Sequence, residues 1–166
     1  QDSYKLFFRQ LEQTVMAFSL FPGILYYLEN WSLVFPPQLC VFPTKIIKKP
    51  WKLIFLNTQI KNQEYGGVRR SSLSFLQREI EARDADFVAI FMHHPPFSVG
   101  SDWIDSIGLN SGKEEFLNLV SEPKVKLVVA GHVHQESTLQ FAAAELVTSP
   151  STCVQFLPNS SCFALD

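Results

Sequence analysis

The chain has 166 residues, 46% hydrophobic and 18% charged, with a formal net charge of −2. That balance suits one globular domain with a sizeable core and excludes an intrinsically disordered chain. With so little net charge and no basic tract, no nucleic-acid partner is expected. Lys48-Lys49 beside Pro50 reads as a solvated turn. The most apolar stretch, 15–28, is short and broken by Pro22-Gly23, so no membrane span is expected. Cys40, Cys153 and Cys162 are odd in number and lack metal-ligand spacing, which points to free thiols in a reducing cytoplasm.

In chain order, residues 3–19 carry Tyr4, Phe7, Phe8, Leu11, Val15 and Phe18 at helical spacing and predict a helix. Pro22-Gly23 ends it, and 24–28 reads as a short strand. Residues 29–50, with Pro36, Pro37, Pro43 and Pro50, show no period and are expected to form a loop with one poor strand or turn of helix. Residues 51–58 predict a strand. Residues 71–83 predict an amphipathic helix, with Leu73, Phe75, Leu76 and Ile80 inward and Arg78, Glu79, Glu81 and Arg83 outward. Residues 87–92 form a continuous apolar run and 125–130 an apolar run interrupted by Lys126, as in strands covered on both faces. Between them lie a long loop, 93–110, and a helix from Ser111 to about Val120, with Ser111 and Glu114 placed as a capping box. Residues 137–141, 145–148 and 153–156 read as shorter strands.

All four histidines fall in two motifs, each just past a predicted strand: Met92-His93-His94-Pro95-Pro96 and Gly131-His132-Val133-His134. Strand ends are where α/β folds place their chemistry. Neutral imidazoles suit zinc, iron or manganese, and a one-residue gap lets two of them face one centre. Gly131 is expected to give the sharp turn, and Pro95-Pro96 to stiffen the exit from the first motif.

These motifs, together with Gly100-Ser101-Asp102-Trp103-Ile104-Asp105, Leu109-Asn110, Gln135-Glu136 and Pro150-Ser151-Thr152-Cys153-Val154-Gln155-Phe156, resemble the calcineurin-like metallophosphoesterases. Within that superfamily the resemblance is to the bacterial 3′,5′-cyclic-AMP phosphodiesterases, over about 51–166. It implies an α/β (α+β) fold, a four-layer sandwich of two mixed sheets flanked by helices. It also implies two divalent ions (iron, manganese or zinc) and a small phosphodiester such as cyclic AMP as substrate. By motif match, His93 would ligate one ion, His132 and His134 would each serve a different ion, and His94 would lie behind the ligands or toward substrate. Trp103 has two readings, a lid aromatic stacking on a nucleobase or a loop anchor; Asn110 likewise, a phosphate contact or a turn residue. Asp102 and Asp105 read as solvated loop acids.

The family's earlier Asp-x-His, Gly-Asp and Gly-Asn-His-Asp/Glu motifs have no counterpart in this sequence. No histidine precedes His93, and the segment after 24–28 reads Glu29-Asn30-Trp31-Ser32. Asn30 alone could mimic the missing asparagine ligand. A bridging carboxylate is lacking too, and two close cations without one repel strongly. The 166 residues are therefore expected to be one incomplete metallophosphoesterase domain, lacking its first strands and metal motifs. At most one ion is expected, with phosphodiesterase activity in an intact parent and an impaired or inactive chain here. The alternatives are a non-catalytic remnant or binding domain, and a mononuclear zinc hydrolase on His93, His132 and His134.

Overall fold

The computed structural model describes residues 44–166 and, before them, the two-residue strands β1 (Phe18–Ser19) and β2 (Cys40–Val41). The chain divides into two compact units, Gln1–Pro43 and Thr44–Asp166. In the first, β1 and β2 pair in parallel, Phe18 opposite Cys40 and Ser19 opposite Val41. The helix expected over 3–19 lies outside the described residues except for its last two, which are β1 and not helical. The strand expected over 24–28 and Asn30 also lie outside them.

The second unit is built on a six-stranded sheet. Its strands are β3 (Lys45–Lys48), β4 (Trp51–Phe55), β6 (Phe87–Phe91), β8 (Val125–Ala130), β9 (Ser137–Phe141) and β10 (Ala144–Thr148), in the order β3-β4-β6-β8-β10-β9. The four central strands run parallel, and β3 and β9 close the edges antiparallel. A smaller parallel pair joins β5 (Gly66–Gly67) to β7 (Leu109–Ser111). The helices are α1 (Arg70–Glu81), the four-residue α2 (Asp102–Asp105) and α3 (Lys113–Val120). This is the mixed α/β class the resemblance implies, and among the described residues it holds one large sheet. No helix among those residues is long and apolar enough to cross a membrane.

Side-chain alternation sets the layers. On one face Ile54 and Leu56, Val88 and Ile90, Val128 and Leu146 are buried against Leu76 and Ile80 of α1 and Phe116 and Val120 of α3. Leu73 and Phe75 pack against this core partly buried, as their helical spacing predicts. On the other face the register sets Trp51 beside Phe87 and Phe55 beside Phe91, with ring centroids 5.3 and 5.2 Å apart.

Lys45–Lys48, within the expected loop, is the edge strand β3, exposed along its whole length, in line with the one poor strand expected there. Two expectations differ. The capping box does not form: Ser111 belongs to β7, and the residue before α3 is Gly112, left-handed at φ +68°. A side chain there would strike the Val68 carbonyl, so the close crossing of strand and helix requires glycine. Residues 153–156 form no strand; Phe156 makes one isolated bridge, to Leu165.

Two polar features escape the apolar pattern. Lys52 of β4 is fully buried and holds Glu79 of α1 (Nζ to Oε2 3.0 Å) and Asp84 (2.5 Å). Glu79, expected outward, therefore turns toward the sheet and also accepts from Lys45 at 2.8 Å. Asp105 is no solvated acid: it accepts from Ser98 Oγ and from the Val99 and Gly100 amides, folding residues 98–105 into a tight loop.

The parallel run fixes where chemistry can occur. The ladder continues past the strands, Leu56 N to Phe91 O, Met92 N to Val129 O and Gly131 N to His93 O. The segments after β4, β6 and β8 consequently leave the sheet side by side at its carboxyl end.

Candidate metal centre

Both histidine motifs and one residue outside them meet at that end. The rings of His93, His94 and His132 form a triangle with centroids 4.9, 5.1 and 4.7 Å apart. One ring nitrogen from each lies within 4.8 Å of the others. No carboxylate joins this group among the described residues.

The three imidazoles are not equivalent. Nε2 of His93 and Nε2 of His132 are buried without a hydrogen-bond partner. Two orphaned nitrogens facing one small space cost free energy unless something occupies it, and a divalent cation satisfies both. His94, 1% exposed, has both nitrogens engaged: Nδ1 meets Thr58 Oγ1 at 2.8 Å, Nε2 meets the Glu64 carbonyl at 3.2 Å. A carbonyl only accepts, so Nε2 carries the proton and the Thr58 hydroxyl donates to Nδ1. Its one available lone pair, on Nδ1, is taken by Thr58 and none is left for an ion, which sets His94 behind the other two.

His134 is held separately. Its Nδ1 donates to the Val154 carbonyl at 2.9 Å, which leaves Nε2 as its lone-pair nitrogen. Its ring stacks flat on Phe156, 4.2 Å away and 3° from parallel. It stands outside the close triangle.

The backbone of the second motif is strained, though not at Gly131. His132 and His134 both adopt positive φ, +71° and +51°. For residues with a Cβ this costs about 1–3 kcal/mol each, and such strain gathers at functional sites. A Cβ at Gly131 would meet His93 Nδ1 at an ordinary 3.6 Å, so the turn expected of the glycine is made by its neighbours.

Gly66 is the glycine this site does require. A Cβ there would overlap Cγ of His94 and lie 2.5 Å from its Nδ1. Gly66→Ala is expected to cost about 1–3 kcal/mol in urea unfolding, as overpacking does, and to displace His94. An unchanged midpoint would show that the His94 pocket is loose.

Burial dominates the electrostatics. It pushes the imidazoles of His93 and His132 down to about 3, with neighbouring histidines adding to the shift. The Ile107 backbone opposes the shift at His132. Burial likewise lowers His94 to about 4, against the hydrogen bond to Glu64. All three are thus neutral at pH 7, which leaves His93 and His132 ready to ligate. The unfolded chain, with histidines near 6.5, takes up protons between that pH and about 3 that the folded chain refuses. Stability of the metal-free protein is therefore full above 6.5 and falls as pH drops through this window, by about 1.4 kcal/mol per pH unit for each histidine. Urea midpoints at pH 7 and pH 5 in chelator measure this, and equal midpoints would contradict it.

The remaining candidates lie further along the loop. Trp103, on α2, packs edge-on against Phe156 (5.0 Å) and Phe163 (5.4 Å). Asn110, on β7, spends its amide on the Ser106 carbonyl at 3.0 Å. Cys153 and Cys162 are free thiols on the surface. Thr58 and Glu64 were not found by sequence reasoning. The signal available for Thr58 was its place three residues past β4, matching His94 three past β6; Glu64 contributes only a carbonyl and left none.

A six-stranded α/β sheet with neutral histidines gathered at its carboxyl end matches known proteins. The family described as Calcineurin-like phosphoesterase matches residues 7–136. Among curated proteins, the chain is 38% identical over 116 residues to the 3′,5′-cyclic adenosine monophosphate phosphodiesterase CpdA of Pseudomonas aeruginosa, covering 70% of this chain and 43% of that protein. It is 34% identical over 166 residues to the protein of the same name from Vibrio vulnificus, covering 99% of this chain and 60% of that one. The chain thus spans about half the length of these relatives. A solved structure of a dimetal phosphatase from Danio rerio superposes with a TM-score of 0.51 at 16% identity, over 73% of this chain and 52% of that one, and speaks to the fold alone. The family match spans most of the sequence and both histidine motifs: the chain belongs to the calcineurin-like phosphoesterase family.

Proposed function

We propose that the 166 residues are part of a single metallophosphoesterase domain whose reaction is hydrolysis of a small phosphodiester, a 3′,5′-cyclic nucleotide being the substrate class. The observation that carries this is the pair of orphaned, buried Nε2 atoms of His93 and His132 at the sheet's carboxyl end. Charge for the phosphoryl oxygens is what a divalent ion there would supply. His93 and His132 hold that ion, and His134 offers Nε2 to a second position. His94 does not ligate; through Thr58 and Glu64 it keeps the wall of the site fixed and dry. Trp103 anchors the loop through its ring contacts, and Asn110 closes a turn onto Ser106. The cyclic nucleotide is suggested by the names of the relatives.

A second reading has its own observation. No carboxylate joins the cluster among the described residues, which favours one ion and a chain that binds without turnover. Metal content and hydrolysis separate the two. The purified chain is loaded with manganese, its metal counted, and cyclic AMP and bis(p-nitrophenyl) phosphate supplied. Two ions per chain with turnover of cyclic AMP supports the phosphodiesterase; one ion without turnover of either ester leaves the binding domain.

A further inference from the structure

We propose that Gln135 is the positioning residue for His134, fixing which ring nitrogen that histidine presents; the inference rests on the reading above in which His134 offers Nε2 to an ion. Gln135 is 9% exposed and directly follows the half-buried histidine. A buried amide is costly unless its hydrogen bonds are made, and this one makes them to two separate segments. Its Nε2 donates to Ser101 Oγ, just ahead of α2, at 3.3 Å and to the Phe156 carbonyl at 3.4 Å. Both N–H groups of the amide are thereby spent. The backbone carbonyl of Gln135 is held as well, accepting from Thr148 Oγ1 at the end of β10 at 2.8 Å. Ser101 and Thr148 are themselves buried.

This clamp reaches His134 by two routes. The first is the ring's own acceptor. His134 Nδ1 donates to the Val154 carbonyl, and the Phe156 ring lies flat on the imidazole. Both contacts come from one short segment, 154–156, and Gln135 grips that segment by the Phe156 carbonyl. The bond an imidazole makes at one nitrogen decides which nitrogen keeps the proton. The Val154 carbonyl therefore selects the Nδ1–H form and frees Nε2, and the selection lasts only while the segment stays in place.

The second route is the backbone. His134 is left-handed at φ +51°, a conformation that persists in a residue with a Cβ only where its surroundings over-determine it. Gln135, pinned at its side chain and at its carbonyl, supplies that constraint on the C-terminal side of the histidine. The anchor on Ser101 is firm in turn, because the Asp105 carboxylate knots residues 98–105 around it. Gln135 makes none of these bonds to the imidazole itself. It acts through Phe156 and the main chain, which makes it a positioning residue and not a ligand.

The test uses the full chain. Long-range nitrogen–proton NMR correlation, at pH 8 in chelator, reads the tautomer of His134, and a zinc titration reads affinity. The wild type is expected to show the Nδ1–H form alone. Gln135→Met keeps an unbranched side chain and loses both donors. It should release the ring into a mixture of tautomers and weaken zinc binding about tenfold, the lower end of the range for an orienting group because Gln135 acts at one remove. A merely structural glutamine would lower the urea midpoint and move neither readout. Wild-type tautomer and zinc affinity in Gln135→Met therefore overturn the proposal, whatever the midpoint does. Thr148→Val, which removes the bond to the Gln135 carbonyl, should shift both readouts in the same direction. If Gln135→Met does not fold, unchanged readouts in Thr148→Val overturn the proposal instead. His134→Asn reports the ligand reading separately. Zinc binding indifferent to His134→Asn removes His134 from the ion, while a tautomer that depends on Gln135 still upholds the positioning. Zinc binding weakened by His134→Asn, with a tautomer indifferent to Gln135, does the reverse.

Discussion

His132→Asn is expected to lower manganese or zinc affinity by more than about a hundredfold, with hydrolysis falling alongside it. The magnitude follows from position. Losing a group that merely orients a ligand costs about 10–100-fold in metal affinity, and losing a ligand costs more. His132 presents one of the two orphaned buried nitrogens, so its removal leaves His93 alone at the close site. Asparagine is the informative replacement because position 132 is left-handed at φ +71°, a region asparagine tolerates. Alanine there would mix the loss of a ligand with unrelieved backbone strain. Thr58→Val serves as the comparison. It removes the hydroxyl that bonds His94 Nδ1, and because His94 is not itself a ligand the loss should stay below that 10–100-fold range. If His132→Asn kept stoichiometric metal and full turnover, the histidine triangle would not be the metal centre, and the site would have to be sought elsewhere in the chain.

The parts of this site that the sequence announces are those whose chemistry and place coincide. His93 follows a continuous apolar run and His132 one interrupted only by Lys126, and such runs become central parallel strands whose ends converge. β3 is legible only as the one poor strand expected within 29–50, without a position, for the opposite reason. Ile46 and Ile47 are adjacent, exposed and set among prolines, so neither alternation nor burial marks an edge strand. Residues 153–156 misled because Val154 and Phe156 alternate as in a strand. Their backbone is instead turned by Gln155, whose side chain bonds both the amide and the carbonyl of Ser151. Gly131 invited a sharp-turn reading from composition, yet the strain sits on the two histidines, where no residue preference signals it. Lys52, by contrast, was recoverable. It shares strand parity with Ile54 and Leu56, both buried, and parity alone places it inward.

That buried lysine yields the largest stability effect expected outside the site. Glu79→Ala should cost about 3–5 kcal/mol, the range for breaking a buried pair from one side. The Lys52 side chain is wholly buried, and its Nζ bonds Glu79 twice, through Oε2 at 3.0 Å and through the backbone carbonyl at 2.8 Å. Burial pulls its ammonium down, but the hydrogen bonds and charges of Asp84 and Glu79 outweigh that and leave it raised, so the charge persists in the core. On the Glu79 side, burial pushes the carboxyl up, and Lys45 and Lys52 together hold it below its usual range. Removing the Glu79 side chain leaves a buried cation with one carboxylate, Asp84, and the residue-79 carbonyl. Lys52→Met should be milder, about 1–2 kcal/mol, because what it strands is not trapped. The Asp84 side chain is 36% exposed and can hydrate, and Glu79 keeps Lys45 at 2.8 Å. Urea unfolding of the two variants at pH 7 measures the asymmetry. Equal losses, or a larger loss for Lys52→Met, would mean the ammonium is less trapped than its burial implies and that the carboxylates, not the lysine, bear the desolvation.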